Sequence, residues 1–360
     1  MRILIDIGHP AHVHLFKHFY FRMRKKHTIV VTIRDVKIIK KLLDYYHIPY
    51  ITLGKKRDIL IGKALTVIRD DIQLIHIAKK HKINIGLSSG IVLSQISKLV
   101  NIKSFIFDDD DDDVEPLVAK YGHLISDAVL TPDPISRKTR KLISYAGIHE
   151  LAYLHPNYFV PDQNILKDYG IRLGESYFIL RFVAFKGHHD VGHSGISYEQ
   201  KVKLIELLKN YGRVFITAER EIEPDLEQYR IPVTPEKIHS FIFFSSMFLG
   251  DSQTMTTEAA ILGVPALKCN TFAGKLSVPN ELEEKYGLCY AYQPAQFDKF
   301  YNHTLELLST PGLKDIWAKK REKFLADKID VTGFMVWFIE NYPESKKIMK
   351  ETPEYQYRFR

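Results

Sequence analysis

The first half of the chain alternates short β-branched runs with longer segments of helical period. RILIDI (2–7) reads as a strand, AHVHLFKHFYFRMRKK (11–26) as a helix and HTIVVTI (27–33) as a second strand. A helix over DVKIIKKLLDYY (35–46) ends before Ile48-Pro49, and IPYITL (48–53) gives a third strand. A long helix over 59–80, the strand INIGLS (83–88), a helix over 90–100 and the strand KSFIFD (103–108) follow. AVLTP (128–132) adds a strand ended by Pro132 and Pro134. Strands separated by helices imply parallel βαβ units covered on both faces.

Residues 145–175 are rich in turn formers and lack sustained periodicity, which predicts a linker. The alternation then resumes with SYFILRFV (176–183), a helix over 198–210, RVFITAE (213–219) and IPVT (231–234). MFLGD (247–251), a helix over 255–262 and VPALKC (264–269) continue it, and VTGFMVWFIENY (331–342) is the last helical pattern. A chain of 360 residues exceeds what one core usually supports. The expected class is therefore α/β, with two Rossmann-like parallel-sheet domains, 1–165 and 166–330, facing a central cleft. Residues 331–360 form a closing helix and a basic tail. Ligands in such sheets bind beyond the carboxyl ends of strands, so the loops there are searched first.

Composition narrows the class only a little. Apolar residues at 45% and charged residues at 26% are ordinary for a soluble globular chain. Cys269 and Cys289 are too few for a disulfide framework, so a reducing cytoplasm is expected. No apolar run approaches the roughly 20 residues of a membrane span, and MRILIDIG is broken by Asp6, as befits a first strand. The net charge of +8 suits phosphorylated small molecules, anionic lipid or nucleic acid. No nucleic-acid recognition motif accompanies it, so nucleic acid is not expected. Lys55, Lys56, Arg57, Lys63 and Arg69 around Ile59-Leu60-Ile61 fit a solvated amphipathic helix or a peripheral membrane contact.

Four loops carry candidate chemistry. In GDSQTMTTEAA (250–260), residues 252–256 fall at a helix N-terminus, where unpaired N–H groups and the helix dipole favour phosphate. Ser252, Gln253, Thr254 and Thr256 would then face a diphosphate, and Glu258 would accept from ribose hydroxyls. The alternative is simple capping, with Glu258 closing a capping box, which accounts for one hydroxyl and the acid alone. After the first strand come Gly8-His9-Pro10-Ala11-His12-Val13-His14. An imidazole with a pKa near 6.5 suits removing a hydroxyl proton, with His12 first and His14 second; packing at a helix start is the rival. The stretch 181–195, RFVAFKGHHDVGHSG, offers Arg181 and Lys186 to neutralise diphosphate, and His188 beside them. Its His188, His189, Asp190 and His193 lie too close in sequence for good metal geometry, so no metal is expected. Finally, Asp108–Asp113 are six successive carboxylates after a strand. Asp108 or Asp109 could bind acceptor hydroxyls, act as base or hold a cation, while Asp111–Asp113 read as a solvated loop.

Asp251, Ser252, Glu258, Ala259, Gly263 and Pro265 resemble the Asp-Ser-Gly-Gly-x-x-Glu-Glu-Ala-x-x-x-Gly-x-Pro region of the non-hydrolysing UDP-N-acetylglucosamine 2-epimerases. The same segment is similar to the corresponding loop of MurG-type GT-B glycosyltransferases. In both, that loop holds the nucleotide diphosphate and a glutamate binds ribose, which implies that role for Glu258. Thr257 replaces the first glutamate, and Gln253-Thr254 replace the paired glycines. The Gly8–His14 loop resembles the Gly-Gly-His-Val loop of MurG-type enzymes, with His12 in position and Pro10 in place of a glycine. Gly187-His188 matches the Gly-His of the epimerases' Thr-Gly-His-Arg-Arg-Glu-Asn, without its arginines. The whole pattern is still closer to a prokaryotic glycosyltransferase-like family of unknown function within the GT-B superfamily. The resemblance implies a metal-independent glycosyltransferase using a nucleotide-diphosphate sugar, UDP foremost, and no separate cofactor. It also implies a sugar or lipid-linked acceptor, a role in cell-envelope or surface polysaccharide synthesis, and a cytoplasmic protein able to sit peripherally on the inner membrane. GT-B chains usually end with a helix crossing back onto the N-terminal domain, which the aromatic helix fits. Two alternatives stand: a 2-epimerase-like enzyme and a non-catalytic nucleotide-sugar binding protein.

Overall fold

The computed structural model describes residues 1–54, 60–114, 116, 118–137, 139–183, 195–218 and 221–360, the side chains of 60–68 excepted. Lys55, Lys56, Arg57, Lys186, His188 and the other histidines of that loop lie outside the described residues, as does the Lys63 side chain. The chain forms two compact units, Met1–Tyr158 with Lys328–Arg360, and Phe159–Asp327.

Unit one begins β1 (Arg2–Ile7), α1 (Pro10–Met23), β2 (Thr28–Ile33), α2 (Lys37–Tyr45), β3 (Ile51–Thr52), α3 (Leu60–Lys80) and β4 (Ile85–Ser88). It continues α4 (Val92–Val100), β5 (Lys103–Phe107), α5 (His123–Ile125), β6 (Ala128–Pro132), β7 (Leu142–Tyr145) and α6 (Leu151–Leu154). Among the described residues its seven strands lie in the order β3-β2-β1-β4-β5-β6-β7, and every pairing is parallel. Such strands are covered on both faces, which is why Ile3, Leu4, Ile5 and Ile7 of β1 are all buried without alternation. The strand order reverses between β1 and β4, and the histidine loop leaves β1 at that point.

Unit two contains α7 (Asn164–Asp168), β8 (Tyr177–Phe182), α8 (Tyr198–Leu208), β9 (Arg213–Ala218), α9 (Ile238–Phe244) and β10 (Met247–Gly250). It proceeds through α10 (Gln253–Ile261), β11 (Ala266–Cys269), α11 (Ser277–Glu284), β12 (Cys289–Tyr292), α12 (Phe297–Leu308) and α13 (Leu313–Asp327). Its parallel strands run β12-β11-β10-β8-β9.

Three sequence expectations change. IPVT is not a strand; Arg230, just before it, makes a single parallel bridge to Ile216. The short strands β7 and β12 were not anticipated. Residues 145–154 are not a linker but core, with Tyr145, Ala146, Ile148 and Leu151–Leu154 all buried. Gly147, which looked like a turn former, is a packing position: a Cβ there would lie 2.6 Å from Val331 Cγ2.

That contact comes from α14 (Val331–Glu340), which packs on α1 and α6 inside unit one; α15 (Glu344–Glu351) follows. Asp330 is the α14 N-cap, accepting the Gly333 N–H at 2.6 Å, the Tyr158 hydroxyl at 2.7 Å and the Asn157 amide at 3.1 Å. One carboxylate thus ties the residue where the chain leaves unit one to the helix with which it returns. Asp330→Ala is expected to cost about 2 kcal/mol, a lost cap plus two charge-assisted bonds, by urea unfolding. Asp330→Asn, which keeps a capping oxygen, should recover more than half. Among the described residues no helix is long and apolar enough to cross a membrane.

Candidate functional site

In unit two the strand order reverses between β8 and β10, so the loops leaving these strands diverge. Gly250 ends β10 at φ 158°, and a Cβ on it would lie 2.1 Å from the Arg181 carbonyl oxygen of β8. This close approach lets the Asp251 N–H donate to that carbonyl at 3.1 Å. The buried Asp251 carboxylate accepts from Val183 N–H at 2.7 Å and from the Ile196 N–H, on either side of residues 184–194. Burial drives its carboxyl up to about 7 against the pull of those amides. The side chain of Arg181 is partly exposed at the end of β8.

Ser252 is the α10 N-cap, yet its side chain makes no capping hydrogen bond although only 7% of the residue is exposed. Glu258 lies well past the N3 position, so no capping box forms and the simple capping account is not realised. Gln253 Oε1 instead accepts from Lys268 Nζ of β11, and Thr254 is exposed. Thr256 Oγ1 donates back to the Ser252 carbonyl at 2.6 Å, and Thr257 Oγ1 to that of Gln253 at 3.3 Å. The Thr256 proton is therefore committed within the helix. Glu258 is buried, its Oε1 2.9 Å from Nε2 of buried His239 on α9. Helix amides, a serine side chain that makes no capping bond and a lysine thus converge on one helix end, with a carboxylate–imidazole pair deeper in. Such an arrangement can bind an anion and hydroxyl groups.

Unit one gathers a second cluster at the carboxyl ends of β1, β5 and β7. His9 caps α1, its Nδ1 accepting from Ala11 N–H at 3.3 Å. Half-buried His12 has Nδ1 3.4 Å from the Gly8 N–H, a contact that favours the proton on Nε2. Burial, then nearby His9, holds its imidazole down to about 3. The near-neutral base expected from the sequence is therefore not what the fold makes of His12. His14 is buried beside Tyr153, ring centroids 5.2 Å apart, as a packed residue of α1.

The acidic run is folded around one guanidinium. Buried Arg137 pairs with Asp108 at 3.1 Å and with Asp112, and donates to the carbonyls of Asp108 and Asp110 and to Thr131 Oγ1. Asp108 also meets His123 Nε2 at 2.7 Å and accepts the Asp110 N–H at 3.2 Å, so its carboxylate is already shared among three partners. Asp112 is thus paired and half-exposed, whereas Asp113 is exposed as a solvated loop residue would be. Asp109 turns the other way and lies 3.1 Å from His149 Nδ1. Burial pulls the His149 imidazole down, but the Asp109 charge and hydrogen bond outweigh it and raise its pKa. His149 Nε2 is buried with no hydrogen-bond partner among the described residues. A carboxylate-oriented imidazole with its other nitrogen uncommitted is the arrangement of a proton carrier.

The structure thus brings Ser252, Gln253, Thr256 and Glu258 to one helix end, and places His12 near Asp109 and not against Asp108. Lys268, His239, Arg137 and His149 were not singled out in the sequence. A lone lysine in the apolar run VPALKC was the only available signal for Lys268. Among the described residues no group of three or more His, Cys, Asp or Glu side chains is placed to hold a metal ion.

The chain is 24% identical, over 284 residues, to an uncharacterized protein of Methanocaldococcus jannaschii, covering 74% of this chain and 81% of that one. It superposes on the UDP-GlcNAc 2-epimerase from Neisseria meningitidis bound to UDP-GlcNAc with a TM-score of 0.62 and 14% identity, covering 88% and 94%. The spinosyn rhamnosyltransferase SpnG complexed with thymidine diphosphate gives 0.62 and 11%, covering 95% and 100%. The two parallel sheets therefore have the GT-B type of Rossmann-like two-domain fold. Over residues 1–331 the sequence matches the family described as protein of unknown function (DUF354), and the chain belongs to that family.

Proposed function

We propose that the protein is a glycosyltransferase that takes a nucleotide-diphosphate sugar, UDP-linked in the first instance, in cell-envelope or surface polysaccharide synthesis. The observation that carries this reading is the N-terminus of α10, where buried Ser252 makes no side-chain capping bond, with Glu258 further along the same helix paired to His239 of α9. The helix end suits the diphosphate, and the carboxylate of Glu258 suits a ribose diol. Fold neighbours that bind UDP-GlcNAc and thymidine diphosphate support the ligand class. Among the groups of unit one, the Asp109–His149 couple is better matched than His12 to receiving a hydroxyl proton at neutral pH. The acceptor would be a sugar or a lipid-linked sugar, met at the inner membrane surface.

Thermal unfolding with a panel of nucleotide sugars tests this. A ligand at about 100-fold its Kd stabilises by about 2.7 kcal/mol. UDP or its sugars are expected to stabilise the parent, and Glu258→Ala to remove most of that gain. Equal stabilisation of both proteins would count against the ribose role. Isomerisation of UDP-N-acetylglucosamine without any acceptor would identify an epimerase instead. Binding without turnover on any acceptor would leave a nucleotide-sugar binding protein.

A further inference from the structure

Lys268 and Gly250 are register partners on β11 and β10, so the lysine stands beside the turn from which α10 starts. It is 2% exposed and ranks among the largest fully buried side chains of the protein. Its ammonium donates to Gln253 Oε1, in the first turn of α10, and among the described residues it forms no salt bridge. The carboxyl of Glu283 is near enough to act through space, but it is engaged by the Ala291 N–H at 3.1 Å. A cation taken out of water and met by a neutral amide is a costly arrangement, because the desolvation is not offset by an opposite charge. Burial accordingly lowers its pKa to about 8.

The same helix turn holds Ser252, 7% exposed as a residue, whose side chain makes no capping hydrogen bond. Lysine charge, hydroxyl and helix amides together describe a partner that carries several anionic oxygens. The position of Gln253 makes sense in this light. Gln253 is long enough to reach Lys268 and neutral enough to be exchanged.

We propose that Lys268 is the cation that meets a diphosphate at the N-terminus of α10, and that the Gln253 carboxamide is the group the anion displaces. This rests on the nucleotide-sugar reading and adds to it the residue that carries the charge. Lys268 would position the diphosphate and would oppose its charge as the sugar departs.

Calorimetric titration of the full chain with inorganic pyrophosphate and, separately, with UDP tests the assignment in three proteins. Pyrophosphate should bind the parent, and Lys268→Met, of similar volume, should weaken it by about tenfold or more, as loss of a charge-assisted bond predicts. Lys268→Met should unfold no more easily than the parent, since it removes an unpaired buried charge. Gln253→Glu supplies a resident carboxylate in the anion's place, so it should raise the unfolding temperature and abolish pyrophosphate binding. This second variant keeps the lysine and its fold. UDP binding that survives unchanged in both variants overturns the inference and leaves the nucleotide-sugar reading standing. Pyrophosphate binding that depends on Lys268, with no nucleoside diphosphate bound, sustains the inference and overturns that reading. Failure of both anions to bind the parent overturns both.

Discussion

Replacing Arg137 with leucine is expected to lower the unfolding free energy by about 3–5 kcal/mol, the usual result of removing one partner from a buried ion pair. The guanidinium meets Asp108 and Asp112 and two backbone carbonyls of the same acidic run. Without it, Asp108 keeps His123 and the Asp110 N–H, and its buried charge loses its guanidinium partner. Lysine should rescue poorly, because one ammonium cannot reach Thr131, Asp108, Asp110 and Asp112 at once, whereas the planar fork does. Arg137→Leu combined with Asp108→Asn should be less destabilised than the sum of the single changes, since the second removes the charge the first exposes. Chemical unfolding of the four proteins measures the coupling. Strict additivity would show that the acidic run is not organised by this arginine.

Gly250→Ala is expected to cost about 3 kcal/mol and to abolish nucleotide binding in a calorimetric titration. The added Cβ would sit 2.1 Å from a backbone oxygen of β8, where no side-chain rearrangement can relieve it, and at a φ that alanine rarely adopts. Relief requires β10 to part from β8 at its end. That movement would carry off Asp251, whose carboxylate holds the Val183 and Ile196 amides, and with it the start of α10. Ordinary binding by a stable Gly250→Ala protein would show that the strand end does not set the geometry of the loop.

The strands of unit one were legible because each is a continuous apolar run buried on both faces; β1, β2, β4, β5 and β6 all fell where the pattern put them. β7 and β12 were not: LISY and CYAY are only partly buried and lack the continuous burial of β1 or β6. Residues 145–154 misled for a different reason. Gly147 lies close to Val331, almost 200 residues away in sequence, and a contact of that range leaves no local mark. At the candidate site the same division holds. The hydroxyl-rich turn of 252–257 was visible as composition, while Lys268 and His239 arrive from β11 and α9 through the topology of the sheet. The acidic run was conspicuous, but its meaning rested on Arg137, which sits in an unremarkable stretch after β6.

Because unit two is inserted between Tyr158 and Lys328, the ribosome delivers it whole before unit one is finished. The surface of α1 and α6 on which α14 packs must wait uncovered through the intervening 169 residues. During translation the earlier-made sheet is thus the later to mature, and its nascent apolar surface is a natural target for a chaperone until the closing helix emerges.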